Sequence, residues 1–116
     1  MHQTAEIDPA GGIPEIEIEF GNANIGAYRL FRWDSSRQST QIGQSVGAPA
    51  MDLAGIRISY EAIIQSPRTG PGQPYAMRVF VRQDGRTVPG GAISETGKLN
   101  ADGGKSVIGF ISFQLS

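Results

Sequence analysis

Apolar residues occupy every second position between residues 55 and 65, near the middle of the chain. Side chains on an extended strand alternate between two faces, so this spacing buries one face and leaves the other in water. An α-helix would instead need apolar residues three and four positions apart. The buried set is predicted to be Ile56, Ile58, Tyr60, Ala62 and Ile64. We expect the fold to be organised around this strand.

Similar patterns predict strands on both sides of the central one. They cover residues 13–20, 27–33, 75–83 and 105–115, with a weaker strand at 39–46 and a short one at 86–88. Turn-forming residues separate them, and Asp84-Gly85 is typical of a two-residue type I′ hairpin turn. Residues 66–74 hold three prolines and two glycines and are predicted to form a long exposed loop. Residues 47–54 fit either a loop or one helical turn.

Two positions indicate local irregularities in the predicted strands. Pro89 has no backbone N–H, so it is expected to stop the ladder of the strand at 86–88, and residues 90–96 could resume pairing. Gly109 indicates a bulge or a close backbone approach inside the last strand. A bulge would switch the face parity of the apolar residues around it, which are Ile108, Phe110, Ile111 and Phe113.

Six to eight short strands without a convincing helix predict an all-β fold. The spacing of strands and turns is typical of an antiparallel β-sandwich, jelly-roll-like or immunoglobulin-like. A length of 116 residues fits one domain, which we assign to residues 13–116. Residues 1–12 are polar, contain Pro9 and Gly11-Gly12, and are predicted to form an irregular N-terminal arm.

Three glutamates, Glu15, Glu17 and Glu19, share the polar face of the strand at 13–20. Like charges on one strand face repel unless opposite charges lie on the neighbouring strands. Arginine suits this role because its planar fork matches a carboxylate. We therefore expect a solvated, ion-paired strand face rather than a binding stripe.

Composition and charge narrow the classes of function. The formal net charge is −1 and the basic residues are dispersed, so neither nucleic acid nor an anionic membrane is an expected partner. The chain has no cysteine, which excludes disulfides and thiolate chemistry. Its first residues lack the charged and apolar regions of a signal peptide, and we expect cytoplasmic synthesis without export by that route, the final location being open.

No motif in the chain predicts catalysis, a cofactor or a metal. The single histidine, His2, lies in the predicted arm and is interpreted as an incidental tail residue, so Ser–His and Cys–His arrangements have no expected members. Gly103-Gly104-Lys105-Ser106 lacks the first glycine of a phosphate loop and precedes a strand instead of a helix. Asn100 and Asp102 lack the rest of a calcium loop and are interpreted as turn formers.

Aromatic and arginine side chains on the predicted strands are the candidate binding residues, because both types are enriched in the cores of protein interfaces. Trp33 stands out because it ends its strand beside the loop at 34–38, a common place for an exposed ring. The predicted contact residues are Arg29, Phe31, Trp33, Arg78, Phe80 and Arg82.

Three hypotheses of function follow from these residues. The first is a non-catalytic interaction or structural protein that acts through protein–protein contact and self-assembles into a homo-oligomer. The second is a carbohydrate-binding, lectin-like module that uses Trp33 and a loop with Asp or Asn. The third is a small hydrolase that depends on carboxylates alone.

Overall fold

The computed structural model describes residues 1–67, 70 and 72–116, and these residues form a two-layer β-sandwich. The predicted all-β, antiparallel sandwich of six to eight strands is confirmed, with eight strands and one short 3₁₀ helix. The elements are β1 (His2–Ile7), β2 (Glu15–Phe20), β3 (Ile25–Trp33), β4 (Ser39–Ile42), the 3₁₀ helix (Ala50–Gly55), β5 (Arg57–Gln65), β6 (Pro74–Gln83), β7 (Arg86–Lys98) and β8 (Gly104–Leu115).

The strands divide unequally between the two layers. A five-stranded sheet has the order β1-β8-β5-β3-β4, and a three-stranded sheet has the order β2-β6-β7. All neighbouring strands are antiparallel except β1 and β8, which run parallel. The central strand of the sequence pattern, β5, is hydrogen-bonded to β3 on one side and to β8 on the other.

The core lies between the two sheets and follows the predicted alternation. On β5 the even-numbered residues from Ile58 to Ile64 are buried, and on β6 the odd-numbered residues from Tyr75 to Val81 are buried. The β6–β7 hairpin turns at Asp84 and Gly85, whose φ angles of 54° and 78° are the positive values that the type I′ prediction requires.

The first strand corrects one prediction: residues 2–7 are not an irregular arm. Ala5 and Ile7 are fully buried, and β1 pairs with β8 over its whole length. Sequence alternation missed this strand because Gln3, the third inward-facing residue, is polar. Its amide donates a hydrogen bond to the Gly90 carbonyl of β7 at 3.5 Å, so β1 links the two sheets.

The segment after β1 is held by one buried side chain. Gln83 accepts a hydrogen bond from the Asp8 amide at 2.8 Å and donates to the carbonyls of Asp8 and Gly12 at 2.8 and 3.0 Å. Asp84 accepts from the Gly12 amide at 3.2 Å. The end of the β6–β7 hairpin therefore fixes where the chain leaves the first sheet and enters the second.

The expected interruption at Pro89 is confirmed: Thr87 pairs with Arg82, residues 88–91 have no partner in the register, and pairing with β6 resumes at Ala92, within a strand that continues to Lys98. The irregularity is a shift in the pairing register between Phe80 and Arg82, where extra residues of β7 are accommodated. Gly90 in this segment has a φ of 69°, a value open to glycine. A bulge gives the missing N–H of Pro89 a position outside the ladder, so both halves of β7 can still pair with β6.

Gly109 does not form the predicted bulge. The register between β5 and β8 is unbroken from Arg57–Ser112 to Gln65–Gly104, and Gly109 lies directly opposite Tyr60. A methyl group at position 109 would overlap the Tyr60 ring. The glycine is therefore a close-approach position, and Ile108 and Phe110 are exposed because they lie on the opposite face of a regular strand.

The segments on either side of β5, residues 47–54 and 66–74, are predicted to lack strands. The predicted loop at 66–74 includes residues 68, 69 and 71, which lie outside the described part of the chain. The predicted loop or helical turn at 47–54 is the 3₁₀ helix, whose Ala50 and Leu53 are buried. Within the described residues, no helix has the length and apolar character needed to cross a membrane.

We predict that Gly109→Ala lowers the free energy of unfolding, by a value near the upper end of about 1–3 kcal/mol for overpacking a core. The strand cannot move away from Tyr60, because β1 and β5 hold it on both sides. Urea denaturation measures the effect. Gly43→Ala is the matched control, since a methyl group there meets nothing within 4 Å. Equal stability of the two variants would contradict the close approach.

Candidate functional site

The outward-facing side chains of β3, β5 and β8 form one surface, which we term the outer face of the five-stranded sheet. Residues opposite each other in the ladders point to the same side, so Ala27, Ile63 and Ser106 make one row across the three strands. Arg29, Glu61 and Ile108 make the next row. Further along, the rows end at Trp33 and Arg57.

One half of the outer face is aliphatic. It carries three isoleucines from three strands, Ile25, Ile63 and Ile108, with exposed fractions of 63, 53 and 58 %. A single exposed isoleucine is ordinary, but these three occupy diagonal positions on adjacent strands and form an apolar patch. We call this part, with Ala27, the aliphatic half. Arg29 and Glu61 form an ion pair of 2.9 Å within it.

The other half of the outer face is aromatic and basic, and it opens into a cleft of about 610 Å³. The cleft is bounded by the last residue of β3, the first residue of β5 and the middle of β8. The β3–β4 turn and the end of the 3₁₀ helix complete its rim. We call it the Trp33 cleft; its lining residues are Trp33, Asp34, Arg37, Gly55, Arg57 and Phe110.

The rings of the Trp33 cleft are fixed by specific contacts. The Trp33 indole Nε1 donates a hydrogen bond to Ser59 Oγ at 2.8 Å, and 36 % of the residue remains exposed. The Arg57 guanidinium lies 5.8 Å from the centre of the Phe110 ring, within the range of a cation–π contact. An indole held in one orientation loses little conformational entropy when another flat group stacks on it.

The β3–β4 turn presents the charged residues of the cleft. Asp34 Oδ1 accepts hydrogen bonds from the Ser36 amide, the Ser36 hydroxyl and the Gln38 amide at 2.9, 2.7 and 3.0 Å. The hydrogen bonds from Ser36 and Gln38, with a smaller contribution from the positive charge of Arg32, lower the pKa of Asp34. The carboxylate therefore stays ionised, and Oδ2 takes part in none of these turn hydrogen bonds.

Arg37 occupies a backbone conformation that favours glycine, with a φ of 63°. A residue in this conformation at the end of a tight hairpin turn is commonly glycine, because a Cβ is unfavourable there. An arginine in a strained backbone conformation suggests that its side chain has a functional role, such as binding a ligand.

The predicted contact residues lie in two separate places. Arg29, Phe31 and Trp33 are on β3 and belong to the outer face of the five-stranded sheet. Arg78, Phe80 and Arg82 are on β6 in the three-stranded sheet and point away from the core. The single contact face expected from Phe31 and Phe80 is therefore wrong, because the two strands lie in different layers of the sandwich.

The outward surface of the three-stranded sheet is ion-paired, as the sequence predicts. The register places Glu15 opposite Arg82 and Glu19 opposite Arg78. Glu17 forms an ion pair with Arg82, whose guanidinium also lies 4.8 Å from the centre of the Phe80 ring. Glu17 and Arg82 are thus paired, while Glu15, Glu19 and Arg78 present their charges to solvent, so this surface is well suited to water.

His2 corrects a further prediction, because its side chain is not an isolated tail group. Its Nε2 lies 2.9 Å from Ser112 Oγ, since β1 and β8 are neighbours. A serine next to a histidine is the minimal arrangement of a nucleophile and a base. The pair is exposed on a sheet surface, and no carboxylate is hydrogen-bonded to the imidazole among the described residues, so we assign it no catalytic role.

Tyr60 on β5 and Glu95 on β7 bring polar atoms into the space between the two sheets. Burial and the nearby negative charge of Glu95 raise the pKa of Tyr60 to about 12, which keeps the phenol neutral. The Tyr60 hydroxyl and Glu95 Oε2 are both buried without a hydrogen-bond partner in the described structure. The two residues belong to opposite sheets, and Glu95 also lines a surface pocket beside β2, β6 and β7.

The residues considered for metal and phosphate binding lie in a turn and in β8. Among residues 1–67, 70 and 72–116 there is no group of three histidine or acidic side chains placed to hold a metal ion. Asp102 accepts a hydrogen bond from the Gly104 amide at 3.0 Å, as a turn former does. Lys105 and Ser106 lie within β8. No family model, curated protein or solved structure matches the chain.

Sequence reasoning singled out Trp33 but missed its partners Arg57 and Phe110, together with the exposed isoleucines. A signal was present, because Ile63 lies in the polar phase of β5, and Ile108 and Phe110 lie in the polar phase of β8. Apolar residues at positions that alternation assigns to water indicate a second apolar surface.

We predict that Arg37→Gly stabilises the protein by about 1 kcal/mol, because glycine relieves the strain of the positive φ angle. Urea denaturation at neutral pH measures the change. Arg86→Gly is the matched control: Arg86 starts β7 without a positive φ angle, so the same change is expected to destabilise by about 0.5–1 kcal/mol. A loss of stability in Arg37→Gly would mean that the side chain supports the fold.

Proposed function

We propose that this protein is a non-catalytic interaction protein that self-associates through the aliphatic half of its outer face. The observation that carries the proposal is the triad of Ile25, Ile63 and Ile108, each more than half exposed on neighbouring strands. Apolar patches of this kind on a soluble sheet are typical of protein contact sites.

A second copy of the chain is the occupant that the surface chemistry favours. The middle of the aliphatic half carries one base and one acid, Arg29 and Glu61. A two-fold contact brings the same patch together on both copies, so each Arg29 can also face the partner copy's carboxylate without net repulsion. Sheets pack face to face readily, as the two layers of the sandwich already do.

The expected association is weak. Three strands about 4.8 Å apart, over the roughly 16 Å of strand length from Ile25 to Arg29, give roughly 230 Å² per copy. Twice that area lies below the size of standard stable interfaces, which bury about 1,600 Å². We therefore expect dissociation constants from tens of micromolar to about a millimolar, the range of transient contacts.

Ile63→Asp is expected to weaken self-association by about 30-fold or more, because it places an unpaired charge at the centre of the contact. Sedimentation velocity from about 10 μM to 1 mM measures the dimer fraction. Ile13→Asp is the matched control, because Ile13 is 50 % exposed and lies outside the outer face. A wild-type protein that stays monomeric at 1 mM, or equal behaviour of both variants, would refute the proposal.

Carbohydrate binding is the second candidate function, and the Trp33 cleft is the observation that favours it. An exposed, oriented indole beside a carboxylate and two arginines offers a stacking surface with hydrogen-bonding groups at its rim. The hydrolase alternative would require two carboxylates on the scissile bond. The Trp33 cleft contains one, Asp34, so we do not extend the proposal to hydrolysis.

A glycan array probed with the wild-type protein and with Trp33→Ala tests the second candidate. We expect binding to a limited set of glycans that falls at least about fivefold in Trp33→Ala, since stacking on an aromatic side chain contributes about 1–3 kcal/mol. Phe80→Ala is the control, because this ring lies on the other sheet. Identical array patterns for the wild type and Trp33→Ala would remove the candidate.

A further inference from the structure

We infer that the Trp33 cleft binds an acidic saccharide, a pyranose ring that carries a carboxylate. The inference rests on the carbohydrate-binding candidate and names its ligand class. It follows from the flat ring of Trp33 and the two arginines that flank it, Arg37 and Arg57.

The charge of the cleft favours an anion. Two arginines against one aspartate leave the lining with an excess of one positive charge, on a protein whose net charge is −1. Neither Arg37 nor Arg57 forms an ion pair among the residues that the structure describes, a state they share with other arginines, but these two lie on either side of an exposed indole. A guanidinium without a carboxylate partner can take a ligand carboxylate through two parallel hydrogen bonds.

The Asp34 side chain indicates that the rest of the ligand is polar. Its Oδ1 is occupied by the turn, and Oδ2 is left to accept a hydrogen bond. A hydroxyl group can donate to an ionised carboxylate, whereas a second carboxylate or a phosphate would be repelled. A ring with one acidic group and several hydroxyls satisfies all three charged residues of the cleft.

The shape of the cleft favours a residue of a chain rather than a small enclosed ligand. The cleft is open to solvent along the sheet surface, and Trp33 and Phe110 remain exposed at its floor. Sites for small cofactors usually bury most of the ligand. An open cleft with aromatic rings suits a polymer that lies across the sheet and stacks one sugar face on Trp33.

The association proposed for the aliphatic half leaves this cleft accessible. A two-fold axis near Ile63 that runs across the strands places the Trp33 end of one copy beyond the sheet of the other, because Trp33 lies opposite Arg57, six residues from Ile63 along β5. Saccharide binding and self-association can therefore be measured and changed independently.

Trigalacturonic acid is the acidic probe and maltotriose the neutral one, followed by chemical shifts of the Trp33 indole and by calorimetry. We expect binding of the acidic probe at least about tenfold tighter than that of the neutral one, and a loss of about tenfold in Arg57→Gln and in Arg37→Gly. Arg37→Gly is informative because the same change is predicted to stabilise the fold. Arg86→Gln, on the opposite hairpin, is expected to bind as the wild type does.

Three other outcomes would each contradict a different step of the inference. Equal binding of both probes, unchanged by the arginine variants, would overturn the acidic class and leave carbohydrate binding standing. Competition by acetate or inorganic phosphate at the same concentration as the trisaccharide would show a simple anion site and overturn the saccharide. Binding of neither probe, with no glycan bound on the array, would remove carbohydrate binding altogether and leave self-association unaffected.

Discussion

The packing of β5 against the three-stranded sheet is the constraint on which the rest of the molecule depends. β5 is the central strand of its sheet, and its buried side chains from Ile58 to Ile64 form an unbroken row of the core. Tyr60 is wide enough to require a glycine opposite it on β8. Because the position of β5 is fixed in this way, β3 and β8 can each pair with it in one register only. The alternate side chains of all three strands must then face outward.

The two outward surfaces of the sandwich differ in the side chains that they expose to water. The three-stranded sheet presents glutamates and arginines in register, with one ion pair, Glu17–Arg82, among them. The five-stranded sheet presents isoleucines, aromatic rings and two arginines without carboxylate partners in the described structure. Burial of apolar area stabilises association, whereas a solvated network of ion pairs gains little from a partner. For this reason the proposed contacts all lie on one side of the molecule.

Period-two alternation predicted most of the strands because their buried faces are consistently apolar, as on β5 and β6. It could not find β1, whose burial depends on Gln3, Ala5 and a partner at the other end of the chain. It also assigned Ile108 and Phe110 to a bulge, because two apolar faces on one strand look like a change of phase. The Trp33 cleft joins residues from three strands, and only the strand order brings Arg57 and Phe110 beside the ring.

Pairing of the first strand with the last has a consequence for biosynthesis. His2 and Ser112 touch although they are 110 positions apart, and contacts between such distant parts of a chain form slowly. During translation, β5 can pair with β3 before β8 has been made. The edge of β5 that pairs with β8 is therefore unpaired in the nascent chain. An open strand edge next to exposed isoleucines is a target for mispairing until β8 pairs with it.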